Sequence, residues 1–451
     1  MSRGVGSSRG ALFAALALSA TACSQAGLVQ HYSTMRPAMV RGDWETAAAM
    51  MDKAKEDPYG EKDRVMYWLN LGTLLHYANK PDASNENLVK AEAAMQELWT
   101  TSVSAETTKV MLGETLQSYG GEDFEKVLVY IYTSLNNVKL GKTQDAIVEA
   151  RRADELLKKM LVHYEKEGEL GTVYKQDAFM LWLIGLYYEL EGGTGLNDAF
   201  LTYKAAYETY QKEFQGTFGA PPPPYLGEDI VRTALLLGFN DEAAQFQQAT
   251  GATGESAQKL GTMGEVIVIH GNGEAPFKRE LRFDGTMADG YVMSIAVPEF
   301  YAIPPRIQYA EVRCGAEVAR SELAEPITEI VLKNFELRLP AIKTRAIARA
   351  VIKYAATKAA QAAGGGSDTA LGSLLGVAAN ITAVATEAAD LRSWTTLPAS
   401  FRVARLWLPP GQHQIDVSYH DAAGVPIGGK NTFTVDLAAG KRQIISVRSV
   451  Q

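Results

Sequence analysis

From about residue 30 to residue 250, apolar and small residues recur at offsets of three and four, the period of helices that bury one face. Around Trp68 the order is Trp68, Leu71, Gly72 and Leu75, followed by Leu88 and Ala91. Gly141, Ala146, Ala150 and Ala153 form a second copy of this pattern. Leu181, Ile184, Gly185, Tyr188, Ala199, Tyr203 and Ala206 form a third, while Gly42, Ala47, Met51, Ala54 and Pro58 supply a half-copy nearer the start. The pattern changes at Met263. Residues 265–270 alternate as a strand does, with a Gly-Asn-Gly turn after them. Further strands are predicted at 278–283, 291–297, 308–313, 401–408, 413–420, 432–437 and 442–450. Between the two strand groups the helical period returns, over 342–363 and 369–386.

Small residues at these offsets let two antiparallel helices lie close, and the aromatic and aliphatic ones fill the space between successive pairs. The spacing is that of degenerate tetratricopeptide-like repeats. The expected fold is therefore multidomain α + β: a tetratricopeptide-like α-solenoid over 31–255, then a β-sandwich-like domain over 263–451 with a helical hairpin inserted at about 340–394. A four-proline run at 221–224 reads as a stiff spacer or a loop packed on the array, and 230–250 as a last hairpin turning at Gly238. Tyrosines and acids along the array could line a concave peptide groove, although most read as core and solvated faces.

The insertion carries the most informative pattern. Arg345, Arg349 and Lys353 stand four residues apart as a basic stripe, with Ile347, Val351 and Tyr354 roughly opposite. The next helix has no charge from Thr369 to Thr386. Gly372, Gly376, Ala379 and Ala383 form a seam of small residues, and Leu371, Leu374, Leu375 and Ile381 a second face. Such a seam suits a hairpin packed on its own domain, a self-associating helix, or contact with lipid.

The amino terminus bears on location. Arg3 and Arg9 precede an apolar run at 11–20, too short to span a bilayer and suited to a signal-peptide core. Ala20, Thr21 and Ala22 then lead into Cys23, a layout that resembles a lipoprotein signal in which residues 1–22 are removed and Cys23 is lipidated; an ordinary cleaved signal is the alternative. Residues 23–30 would then link the anchor to the repeats. Ser24, by resemblance to Gram-negative sorting signals, implies the outer membrane, facing the periplasm. The formal charge is −8, and −10 without residues 1–22, which gives no pull toward nucleic acid. Cys314 would then be the one free cysteine, read as a buried structural thiol at the end of a strand.

The six histidines, the carboxylates and the glycine-rich runs are where an enzyme signature would lie. Neither HExxH nor metal-ligand spacing is present, and there is no GxSxG elbow. Residues 424–430 mimic a phosphate loop, but Asn431 stands where Ser or Thr should hold magnesium. The expectation is a protein that is not an enzyme, with no cofactor and no metal.

Residues 339–342, 353–356 and 389–394, with Leu397, Pro398, Ala404 and Arg405, resemble a poorly characterised family of bacterial outer-membrane lipoproteins with tetratricopeptide-like repeats. Members tend to be encoded beside small lipoproteins resembling activators of peptidoglycan synthases. The resemblance implies a role in envelope assembly and no known activity. Asp390, Arg392 and Trp394 lie in this stretch; together with Arg345, Arg349, Lys353, Gly372 and Gly376 they are the candidates for partner binding or packing. The expected function is a lipid-anchored scaffold binding envelope proteins. The alternatives are a homo-oligomeric or membrane-contacting component acting through 342–386, and a cell-wall or carbohydrate-binding module.

Overall fold

A computed structural model describes residues 25–102, 114–167 and 175–451. Helix α1 (25–40) pairs with α2 (Trp44–Lys53), and four further antiparallel pairs follow. These are α3 (Arg64–Tyr77) with α4 (Pro81–Ser102), α5 (Asp123–Lys139) with α6 (Thr143–Glu167), α7 (Ala178–Glu191) with α8 (Gly195–Thr209), and α9 (Pro224–Leu237) with α10 (Asn240–Thr250). The small residues do what their spacing predicts. A Cβ added to Gly72 would lie 2.6 Å from Leu88 Cγ, and one on Gly185 would lie 2.5 Å from the Tyr203 ring. Gly238 ends α9 at φ 78°, a left-handed turn that glycine enters without steric cost.

Two boundaries differ from expectation. Residues 25–30, expected as a linker, are the first turns of α1, where Leu28 is already buried. Pro224, expected in the stiff spacer, occupies the first turn of α9, where a missing N–H costs nothing.

After a short helix α11 (Glu255–Lys259) come strands β1 (Gly264–Asn272), β2 (Phe277–Thr286), β3 (Val292–Tyr301), β4 (Tyr309–Cys314), β5 (Glu317–Arg320) and β6 (Glu322–Glu325). Helices α12 (Ile327–Ala363) and α13 (Ala370–Ala385) form the hairpin, and β7 (Ser400–Leu408), β8 (Gly411–His420), β9 (Asn431–Leu437) and β10 (Arg442–Ser449) complete the chain. Helix α12 begins well before the expected insertion, because Pro340 lies inside it on an exposed turn. Ile327, Ile330, Val331 and Asn334 are buried on the preceding turns and hold that first segment in place.

One sheet has the order β10-β1-β7-β6, with β1 and β10 parallel; a second has the order β5-β4-β8-β9; β2 and β3 form a separate ribbon. Strand β1 is buried along its whole length, and its two faces have different neighbours. Val266 and Val268 join Ala404, Leu406, Ile415 and Val417 between the two four-stranded sheets. Ile267 and Ile269 point the other way, into a core shared with the helices. The period of two along one strand thus joins three layers: helical array, first sheet, second sheet.

A buried ion network bonds the array to the first sheet. Glu189 of α7 and Asp229 and Arg232 of α9 meet Glu265 of β1, Arg405 of β7 and Arg442 of β10. Arg405 reaches Asp229 at 2.6 Å, and Arg442 reaches Glu265 at 2.8 Å and Glu189 at 3.0 Å. Trp182 Nε1 donates to Asp229 and the Tyr203 hydroxyl to Glu189, each at 2.8 Å. Three carboxylates face three guanidiniums, so the cluster is formally neutral. Burial would raise Glu189, but Arg232 and Arg442 outweigh it and hold its carboxyl at about 2.

Candidate interaction site

The first helix of each pair faces the β domain, and α5 and α7 are buried over nearly their whole length. The extended segment 387–399 runs into this side of the array. Trp394, 2% exposed, donates from its indole nitrogen to the Thr73 and Thr396 hydroxyls, at 3.0 and 3.1 Å. Its backbone N–H donates to Glu125 at 2.6 Å, and that of Thr396 donates to Asn70 Oδ1 at 3.0 Å. Arg392 joins Asp390 (2.8 Å) to Asp63 (2.9 Å) and donates to the Gln117 carbonyl. The side of the array that faces the β domain is therefore filled by the chain's own helix-to-strand connection. Asn70, Thr73, Glu125 and Asp63 were not legible as a site, because their common neighbour lies some 300 residues away.

Glu125 accepts from the Tyr119 hydroxyl, the Glu122 amide and the Trp394 amide. Burial, with the neighbouring Glu122 charge, pushes its carboxyl up to about 7. Between the ordinary glutamate range and that value the folded state holds a proton that the unfolded chain has lost. Stability contributed here falls as pH rises through this window. The melting temperature is expected to drop from about pH 5 to about pH 8, and Glu125→Gln to flatten that drop. An equally steep drop in the variant would remove Glu125 as the cause.

The hairpin turns most of the basic stripe inward. Arg349 and Lys353 face inward, onto the buried carboxylate of Glu387, at 3.4 and 2.6 Å. Arg345 is half-buried. Arg282 of β2 donates to the Val384 and Glu387 carbonyls, and Asn380 exchanges two hydrogen bonds with the Val292 backbone. The charges point inward because the Glu387 carboxylate, and the Ala383 carbonyl that accepts from Lys353 at 3.2 Å, supply the partners that water supplies to an exposed cation. Gly372 and Gly376 are buried against α12, with an added Cβ at Gly376 falling 3.3 Å from the Gln361 side chain. The small seam thus closes the hairpin on itself. The large side chains left outside are mainly aliphatic: Ile347, Val351 and Ile352 on α12, and Leu371, Leu374, Leu375, Val377 and Ile381 on α13, with Lys343 exposed beside Ile347.

On the outer side of the array, α4, α5 and α6 enclose a cleft of about 120 Å³. Trp99, Lys126, Tyr130, Arg152 and Lys159 are among its lining residues. Arg152 lies over the Tyr130 ring at 5.3 Å and pairs with Glu92 and Glu149. Single aliphatics, Val89 on α4, Val148 on α6 and Leu201 on α8, stand exposed on successive pairs.

The described helical half is built of antiparallel helix pairs. One solved structure similar to part of the chain holds nearly identical tetratricopeptide-like repeats from a kinesin light chain of Podosopora anserina. It is 12% identical, with 51% of this chain and 96% of that one covered and a TM-score of 0.33. Another is the Rap conjugation gene regulator of the plasmid pLS20 in complex with the Phr peptide, 16% identical, with a TM-score of 0.29. That match covers 50% of this chain and 52% of the regulator, so the chain spans about half the regulator's length. No protein-family model matches the chain, and no curated protein matches it.

Cys23 lies outside the described residues. Cys314 is half-buried rather than buried, because β4 ends there; its Sγ lies 3.7 Å from His413 Nδ1. Burial pushes the thiol up, away from the reactive thiolate. Among the described residues no group of three His, Cys, Asp or Glu side chains is arranged to hold a metal ion, and no helix is long and apolar enough to cross a membrane.

Proposed function

We propose that this protein is a non-catalytic, lipid-anchored scaffold of the outer membrane, facing the periplasm and binding protein partners in cell-envelope assembly or maintenance. Its β domain, read as a small β-sandwich, acts as an internal clamp on the repeats. The observation that carries this reading is the occupied inner side of the array: with 387–399 bound there, the outer faces of α4, α6 and α8 are what the repeats present. The cleft beside Trp99, Tyr130 and Arg152 has the aromatic and arginine content that concentrates binding energy at protein interfaces. The amino-terminal signal, the resemblance to envelope lipoproteins and the absence of catalytic spacing support the rest.

The test is in-cell crosslinking of the tagged full chain, read by mass spectrometry, with Val148→Arg and Cys23→Ser variants. Envelope proteins crosslinked to the α4–α6 surface, and reduced in both variants, are the expected result. Crosslinks to partners that persist in Val148→Arg and map away from the array would refute binding by this surface. Equal recovery in Cys23→Ser would refute the anchor's part in it.

A further inference from the structure

The outer face of the hairpin is mostly aliphatic on both helices, with Lys343 and Thr344 exposed on α12 and Ser373 and Thr382 on α13. Its eight large aliphatic side chains are 37–65% exposed. They offer on the order of 700 Å² of surface, close to the ~800 Å² each partner contributes to a stable interface. The face has an internal asymmetry. Toward the tip, the outward residues of α12 are small: Ala355, Ala356, Ala359, Ala362 and Ala363. Those of α13 beside them are large: Leu371, Leu374, Leu375, Val377 and Ile381. One helix supplies knobs and its neighbour supplies the shallow surface that receives them.

We infer that this face docks a second copy of the chain, α13 of each copy lying on α12 of the other about a two-fold axis in a four-helix arrangement. A two-fold contact requires a self-complementary patch, residue i meeting j and j meeting i, and a leucine-rich helix beside an alanine-rich one meets that requirement. Charge favours the same occupant. Two chains of net charge −8 repel one another. Over the tip half of the face the cations are neutralised, Arg349 and Lys353 by Glu387 and Lys358 by Asp289 at 2.6 Å. The exposed Lys343 stands farther from the tip on α12, so the leucine-rich part can approach its twin without bringing like charges together. A bilayer would call for the opposite arrangement, with basic side chains outward to meet anionic headgroups. The inference is independent of what the repeats bind.

The experiment is sedimentation equilibrium on the full chain carrying Cys23→Ser, which excludes acylation as a cause of association. The expected result is a dimer, converted to monomer by Leu374→Glu with Ile381→Glu and kept by Leu201→Glu, an equally exposed change on α8. Circular dichroism should be unchanged in all three. A monomeric parent chain would overturn the inference, as would a dimer that survives the double substitution or one that Leu201→Glu also dissociates. Should the double variant misfold, differently tagged copies carrying Ala359→Cys and Leu374→Cys, with both native cysteines replaced by serine, provide the second measurement. Disulfide-linked heterodimers are expected, and their absence counts against the packing. Flotation of a monomeric parent chain with phosphatidylglycerol vesicles would assign the face to lipid instead.

Discussion

Arg232→Met is expected to destabilise the protein by about 3–5 kcal/mol, because it leaves three carboxylates facing two guanidiniums in a buried site. Arg232 is fully buried and bonds both Glu189 and Asp229. Removing it strands charge on α7 and α9, the two helices that the network joins to β1, β7 and β10. Asp229 retains Arg405 and Trp182, and Glu189 retains Arg442 and Tyr203, which limits the loss. Urea unfolding followed by circular dichroism measures it. A change below about 1 kcal/mol would mean that the network contributes no more than an exposed ion pair.

Trp394→Ala is expected to cost about 3–5 kcal/mol, the usual range for emptying a large aromatic site in a core. The indole lies 5.8 Å from the Tyr132 ring, and its nitrogen serves Thr73 and Thr396. Truncation leaves a cavity where array and β domain meet and deprives Thr73 of its donor. Trp394→Phe keeps most of the volume and should cost less. Leu374→Ala, on the exposed face, should stay within about 0.5 kcal/mol. Since β1 and Trp394 belong to the same apolar core as the helices, array and sheet should unfold in one transition. Two separated transitions in the parent chain would show that the 387–399 contacts do not couple them.

The helical pairs were legible because their geometry is local. Gly72 and Leu88, or Gly185 and Tyr203, are neighbours within one hairpin, so spacing alone predicts the contact. Most strands were legible for the same reason, from alternation over six to ten residues. Strands β5 and β6, four residues each, were not, since a run that short has no measurable period. The start of α12 was not legible, because a proline disfavours helix at the residue before it and only the tertiary burial of Ile327, Ile330, Val331 and Asn334 holds the turns ahead of Pro340.

The candidate site shows the same division more sharply. The sequence places Arg345, Arg349 and Lys353 on one stripe and Gly372 and Gly376 on one seam, as helix periodicity requires. Which way the stripe faces depends on Glu387, beyond the end of the next helix, and on the β2–β3 ribbon some 60 residues earlier. Likewise Asp390, Arg392 and Trp394 were legible as a cluster, but not their partners Asp63, Thr73 and Glu125.

By itself, then, the sequence determined the longer elements, their pairing within hairpins and the order of array, sheet and inserted hairpin, because each follows from periodicity over a few turns. The tertiary structure alone decided that the inner side of the repeats is filled by 387–399, that the basic stripe is turned inward, and that aliphatic side chains are left outside. Those outcomes depend on which buried charge finds a partner and which apolar face finds a cover, and the partners lie from 34 to 329 positions apart in the chain.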